Sequence, residues 1–138
     1  MKIQIIGYSG SGKSTLAKTL ANHYNLPLLY LDAVNFYDNW QERTFEEKNA
    51  IVEKFLNDNP DGWVIDGNYS NIGKRRFEES DITIFLNYNR FYCYKMAKQR
   101  FKENKNKKRE SCPCIETFDL GFRWWILYQS RTNKRRKK

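Results

Sequence analysis

Long hydrophobic runs are missing from this chain. No apolar stretch reaches 18 residues, which excludes a transmembrane helix, and no membrane partner is expected. The opening Met1-Lys2-Ile3-Gln4-Ile5-Ile6 is too short an apolar stretch for a signal peptide, and glycines stand where a cleavage site belongs. The expected location is the cytoplasm. Cysteine is scarce and odd in number. Cys93, Cys112 and Cys114 offer no second pair for a four-cysteine zinc site, and Cys112-Pro113-Cys114 lacks the spacing of a redox CxxC. Three reduced thiols are expected. The only histidine, His23, lies close behind the first helical pattern and receives no chemistry. There is no internal repeat, and no helix-turn-helix, zinc or single-strand-binding signature. Acidic residues run short in the last third. Residues 95–138 carry 15 Lys and Arg against 4 Asp and Glu, whereas residues 1–94 carry 10 against 12. A block this basic calls for an anionic partner or solvated exposure, and charge alone does not choose between phosphorylated small molecules, nucleic acid and acidic lipid.

What is present suffices for one folded domain over residues 1–138. Hydrophobic residues make up 40% of the chain and aromatics 16%, enough for a core. Short apolar runs alternate with helical patterns. Ile3–Ile6, Pro27–Leu31, Trp63–Ile65 and Ile82–Leu86 read as buried strands. Leu16, Ala17, Leu20, Ala21 and Tyr24 share a helix face. Thr44 and Glu47 form a capping box for a helix running to about Asn57. Further helices are expected around Lys74–Phe77, from Asn89 to Phe101, and from Glu116 to about Thr132, with a polar loop at Lys102–Ser111 and a frayed Lys134–Lys138 end. In that last helix, Trp124 and Trp125 are expected in the core. Short, wholly apolar strands between helices predict a parallel α/β sheet covered on both faces. Ligands of such sheets bind at the carboxyl ends of the strands, where Gly7, Asp32 and Asp66-Gly67 all fall.

Gly7-Tyr8-Ser9-Gly10-Ser11-Gly12-Lys13-Ser14 fits GxxxxGK[ST] without a mismatch, after a strand and before a helix. The glycines let the backbone curl so that successive N–H groups aim at one anion. The helix start adds its positive dipole end. Lys13 reaches the β- and γ-phosphates of a nucleoside triphosphate, and the Ser14 hydroxyl reaches Mg²⁺. The nucleotide-binding set is Gly7, Ser9, Gly10, Ser11, Gly12, Lys13, Ser14 and Thr15.

That loop, Leu31-Asp32, and Trp63-Val64-Ile65-Asp66-Gly67-Asn68-Tyr69 together resemble the adenylate kinase/shikimate kinase group of P-loop phosphotransferases. Asp66-Gly67-Asn68-Tyr69 and Asn89-Arg90 make the chain more similar still to the bacterial P-loop proteins known as DNA topology modulation proteins. The resemblance covers nearly the whole chain. It implies a three-layer fold with a sheet of four or five strands in the order 2-3-1-4 and a basic lid, ATP and Mg²⁺ as cofactors, and phosphoryl transfer to a small acceptor. It implies Asp66 on the metal with Ser14, and Asp32 against the acceptor hydroxyl. Arg43, Gly67, Asn68 and Arg76 would face the acceptor, beneath a cover at about 35–59. Arg109 is the implied arginine of a lid at about 102–114; Arg100 before the lid joins the nucleotide-binding set, and Arg123 or Arg131 after it would add a further phosphate contact. Lys13, Asp32 and Arg109 form the implied catalytic set. The sequence departs from adenylate kinases at Asn68-Tyr69-Ser70, which leaves the acceptor open between a nucleotide and a small hydroxylated compound. The alternative is an ATP-binding, nucleic-acid-associated regulator acting through the basic C-terminal third. Both a monomer and a homodimer fit.

Overall fold

The computed structural model describes residues 1–131, so the Lys134–Lys138 end and Thr132 lie outside the described residues. Four strands, β1 (Lys2–Gly7), β2 (Leu28–Tyr30), β3 (Trp63–Asp66) and β4 (Ile82–Leu86), form one sheet in the order β2-β3-β1-β4. All three pairings are parallel, with Ile3 opposite Val64 and Ile82, and Tyr30 opposite Asp66. The expected order and the lower of the two expected strand counts are therefore present. Six α-helices connect and cover the strands: α1 (Lys13–Tyr24), α2 (Leu31–Asn35), α3 (Phe45–Asp58), α4 (Arg75–Glu79), α5 (Arg90–Glu103) and α6 (Leu120–Leu127).

Alternation along β3 sends its side chains to two cores. Val64 joins Ile3 and Ile5 against Ala17 and Ala21 of α1. Trp63 and Ile65 pack on the other face with Leu31, Val34, Val52, Leu56 and Ile72. Every β3 side chain is buried. β4 is the contrasting edge: Ile82 is 44% exposed and Phe85 51%. A third cluster joins Cys93 and Ala97 of α5 to Phe118 and to Ile126 of α6.

Local signals explain the helix ends. The Thr44 hydroxyl accepts from the Glu47 N–H while the Glu47 carboxylate accepts from Thr44 N–H, the expected capping box. Asn89 and Asp119 cap α5 and α6 in the same way, accepting from Tyr92 and Phe122 N–H. Two expectations are corrected. Leu31-Asp32 does not close the second strand but opens α2, since Leu31 turns into the α3 side of the core. The last helix begins at Leu120, not Glu116, because Asp119 supplies the cap. Trp124 is 55% exposed rather than in the core, with its ring 4.3 Å from that of Tyr128.

Candidate functional site: a phosphate cradle under a basic lid

The carboxyl end of β1 runs straight into the glycine loop. Ser11 N–H donates to Tyr8 carbonyl at 3.1 Å, closing the loop on itself, and Gly12 sits at the start of α1 with φ +87°. That dihedral is open to glycine and strained for other residues. Gly10 is required for a different reason: a Cβ there would stand 2.2 Å from the Cys93 carbonyl oxygen of α5. Lys13 curls back over the loop, its Nζ donating to the Tyr8 carbonyl at 3.0 Å. Burial pushes its pKa down, against the attraction of Asp66 and Asp32.

The Ser14 hydroxyl donates to Asp66 Oδ2 at 2.7 Å across the β1–β3 gap. Asp66 is 5% exposed, and burial raises its pKa although Lys13 and the Ser14 hydroxyl pull it down. Its second oxygen, Oδ1, is buried with no hydrogen-bond partner. An orphaned carboxylate oxygen beside a hydroxyl is a fitting oxygen pair for Mg²⁺, a hard cation that keeps waters and takes phosphate oxygens for its other positions. Among the described residues no group of three His, Cys, Asp or Glu is placed to hold a metal alone. The pair therefore fits an ion that arrives with its phosphates.

Asn68 does something the sequence did not suggest. Its side-chain Oδ1 accepts from Gly7 N–H at 2.8 Å, and its Nδ2 donates back to the Gly7 carbonyl. The carboxamide clamps the first peptide of the cradle and is directed there rather than at an acceptor. Gly67 is likewise a packing position: a Cβ would meet the Leu31 Cβ at 2.6 Å. Beneath them Gln4, fully buried, donates to carbonyls of Ile5, Ile65 and Gly67.

On the acceptor side, Asp32 stands in the first turn of α2, and its Oδ1 accepts from the Tyr69 hydroxyl at 2.7 Å. Burial and the Asp32 charge push the Tyr69 phenol far up, so it remains a donor. The two arginines expected here turn elsewhere. Arg43 Nη1 donates to the carbonyls of Ala33, Val34 and Phe36, collecting the unpaired carbonyls of α2, and its guanidinium lies 4.5 Å from the Tyr37 ring centre. Arg76 is fully buried, bonds the Tyr69 and Ile72 carbonyls, and stacks on Phe77 at 4.1 Å. Burial with no acidic partner lowers its pKa to about 10.

The segment expected as the lid, about 102–114, packs against α1 on one side and against residues 37–40 on the other. After α5 the chain makes a tight hairpin with Arg109 and Cys112 bridged backbone to backbone. Lys18 of α1 pairs with Glu110 at 2.6 Å, and Lys108 with Asp38 at 3.1 Å. Trp40 of the acceptor cover donates from its indole to the Ile115 carbonyl at 2.9 Å, while the Cys114 thiol donates to the Tyr37 carbonyl. None of the three cysteines is in a disulfide, and all three are buried. Arg100 and Arg109 both line the two clefts beside the loop, one of about 440 Å³ reaching Ser14 and Lys18, the other of about 200 Å³ reaching Gly12 and Lys13. Arg123 turns away, donating to the Phe118 carbonyl; the side chain of Arg131 lies outside the described residues. Glu116, unremarked in the sequence, is the carboxylate partner of Arg100. The one signal for it was an acid set among apolar neighbours, between Ile115 and Phe118, a few residues after the basic 102–109 run.

Residues 3–86 match the family described as ATPase family associated with various cellular activities (AAA). No curated protein matches the chain. Among solved structures it is similar to an uncharacterized protein from Eubacterium ventriosum ATCC 27560, at 24% identity and a TM-score of 0.50, covering 74% of this chain and 63% of that one. The chain thus spans less than two thirds of that relative. It is also similar to a gluconokinase from Sinorhizobium meliloti 1021, at 16% identity and a TM-score of 0.51, covering 96% of this chain and 77% of that one. At these identities the likeness speaks for the fold. The matched stretch takes in the phosphate cradle, Asp66 and all four strands, so the chain belongs to the ATPase family associated with various cellular activities (AAA) and has the parallel, adenylate/shikimate kinase-like P-loop fold.

Proposed function

We propose that the chain is an ATP-dependent phosphotransferase that moves the γ-phosphoryl group to a small acceptor held against Asp32. One observation carries the reading. Asp66, bonded to the Ser14 hydroxyl of the cradle, ends β3 opposite Tyr30 of β2, and Asp32, held by the Tyr69 hydroxyl, follows two residues after Tyr30, so two carboxylates stand at neighbouring strand ends beside the phosphate loop. A site for nucleotide binding alone has no need of the second carboxylate.

Phosphoryl transfer asks for alignment and charge stabilisation more than covalent chemistry. The loop amides and the α1 terminus hold the β- and γ-phosphates, and Lys13 gives up the Tyr8 carbonyl for them. Ser14 and Asp66 are the residues that would hold Mg²⁺, which neutralises phosphate charge when bound. With Tyr69 fixing its Oδ1, Asp32 offers Oδ2 to the acceptor hydroxyl, orienting it and taking its proton. Arg100 and Arg109 meet charge on the transferred group. The stitched lid excludes water, which limits hydrolysis.

The test is acceptor-stimulated ADP release. The chain is incubated with MgATP and a panel of nucleoside monophosphates, neutral polyols and hydroxy acids. At least one class should raise ADP formation about tenfold or more over the rate without acceptor. ATP binding with no stimulation by any class would overturn the reading in favour of the nucleic-acid-associated alternative.

A further inference from the structure

Glu116 lies between the lid hairpin and α6 and is 6% exposed. Its Oε2 accepts from Arg100 Nε at 3.2 Å and its Oε1 from Arg100 Nη2, so one edge of the guanidinium is taken by both oxygens. The same Oε2 stands 3.7 Å from Arg109 Nε, too far for a hydrogen bond. Among the described residues that Nε is buried with no acceptor, and the one hydrogen bond of the Arg109 guanidinium runs from Nη1 to Ser111 Oγ at 3.3 Å. Burial and the Arg100 charge lower the Arg109 pKa.

An ion pair with a purely structural task matches its donors. Here one carboxylate faces two guanidiniums, satisfies one and leaves the other short of an acceptor, a costly arrangement in a buried place. Both arginines line the clefts beside Lys13 and Ser14. The planar two-oxygen edge of a carboxylate is also what a guanidinium takes from phosphate.

We propose that Glu116 is an affinity-setting, positioning residue of the nucleotide site: its carboxylate holds the Arg100–Arg109 pair before nucleotide arrives and competes with polyphosphate for the same N–H groups. This rests on the phosphotransferase reading insofar as the two arginines are phosphate ligands. In the unliganded site the trio carries a net charge of +1, and the neutral glutamine at position 116 would leave +2 facing the cradle.

Inorganic tripolyphosphate tests this, because it needs no acceptor and no turnover. By calorimetry on the whole chain, Glu116→Gln should bind tripolyphosphate about tenfold more tightly than the unsubstituted protein, with a steeper loss on adding salt. In the Arg100→Gln/Arg109→Gln background the same substitution should change affinity less than about twofold. A folded Glu116→Gln with equal or weaker affinity overturns the proposal. Should that variant not fold, the unsubstituted chain decides: tripolyphosphate must shift the Arg100 and Arg109 Nε–H resonances, and unmoved resonances overturn it. No binding at all by the unsubstituted protein defeats both the nucleotide reading and this one. Binding without the Glu116→Gln gain defeats this one alone.

Discussion

The proposed nucleotide and acceptor halves of the site are built in opposite ways. The nucleotide half is one contiguous loop whose parts face inward: amides, Lys13, and a serine bonded to a carboxylate from the neighbouring strand. In the acceptor half, Asp32 presents a carboxylate, while the basic groups around it are committed to the fold, Arg43 to the carbonyls of α2 and Arg76 to those of Tyr69 and Ile72. A polyphosphate tail is the same for every substrate, so one short backbone geometry serves. An acceptor differs between enzymes, and its pocket is assembled from whatever distant segments the sheet brings near.

The largest expected effect breaks the nucleotide half. Lys13→Ala should lower acceptor-dependent turnover by about 10³-fold or more, measured as ADP release at saturating MgATP. Unchanged turnover would remove the cradle from the mechanism. Next, Asp32→Asn should lower turnover about 10²-fold while changing ATP affinity less than about twofold. Equal losses in rate and in ATP binding would merge the two halves.

Arg43 and Asn68 sharpen the contrast through stability. Arg43→Ala strips three carbonyls of a donor and should cost about 1–3 kcal/mol in urea unfolding, with acceptor KM unmoved. A rise in KM without loss of stability would return Arg43 to the acceptor. Asn68→Ala should cost a similar amount, and here ATP affinity should fall as well, because the clamp holds the first peptide of the cradle.

The smallest effect concerns Asp66 and has a counterintuitive sign. Its folded-state pKa stands above the ordinary 3.8, because burial outweighs Lys13 and the Ser14 hydroxyl. The folded chain holds that proton more tightly than the unfolded chain. The corresponding stability is complete below 3.8 and is lost as pH climbs past the raised value. At neutral pH without Mg²⁺, Asp66→Asn should therefore raise the thermal midpoint by about 2 °C while losing Mg²⁺-dependent nucleotide binding. Binding by the unsubstituted protein should weaken on acidification at a pH above 3.8. A lower midpoint for Asp66→Asn would show that the attraction of Lys13 and the Ser14 hydrogen bond outweigh burial.

Much of this was legible in the sequence. The cradle could be read because its parts are neighbours in the chain and because glycine, lysine and serine each have one purpose there. Strand order was legible through the family resemblance, and the Thr44 cap through the capping-box spacing. Asn68 and Arg43 were not, since the groups they bond are backbone peptides that carry no residue-specific signature. Arg76 was expected to face the acceptor, and only the packing of α4 shows it fully buried. Glu116 fell inside a segment with helical periodicity, which hid that it precedes the cap at Asp119.

Gly10 leaves almost no tolerance between the cradle and α5, since a single methyl there would overlap the Cys93 carbonyl. Loop and helix therefore share a wall, and Arg100 stands two turns further along that helix. In a saturation scan, position 10 would register as intolerant through collision and through its φ of +80°, and position 12, with nothing within 4 Å, through its dihedral alone.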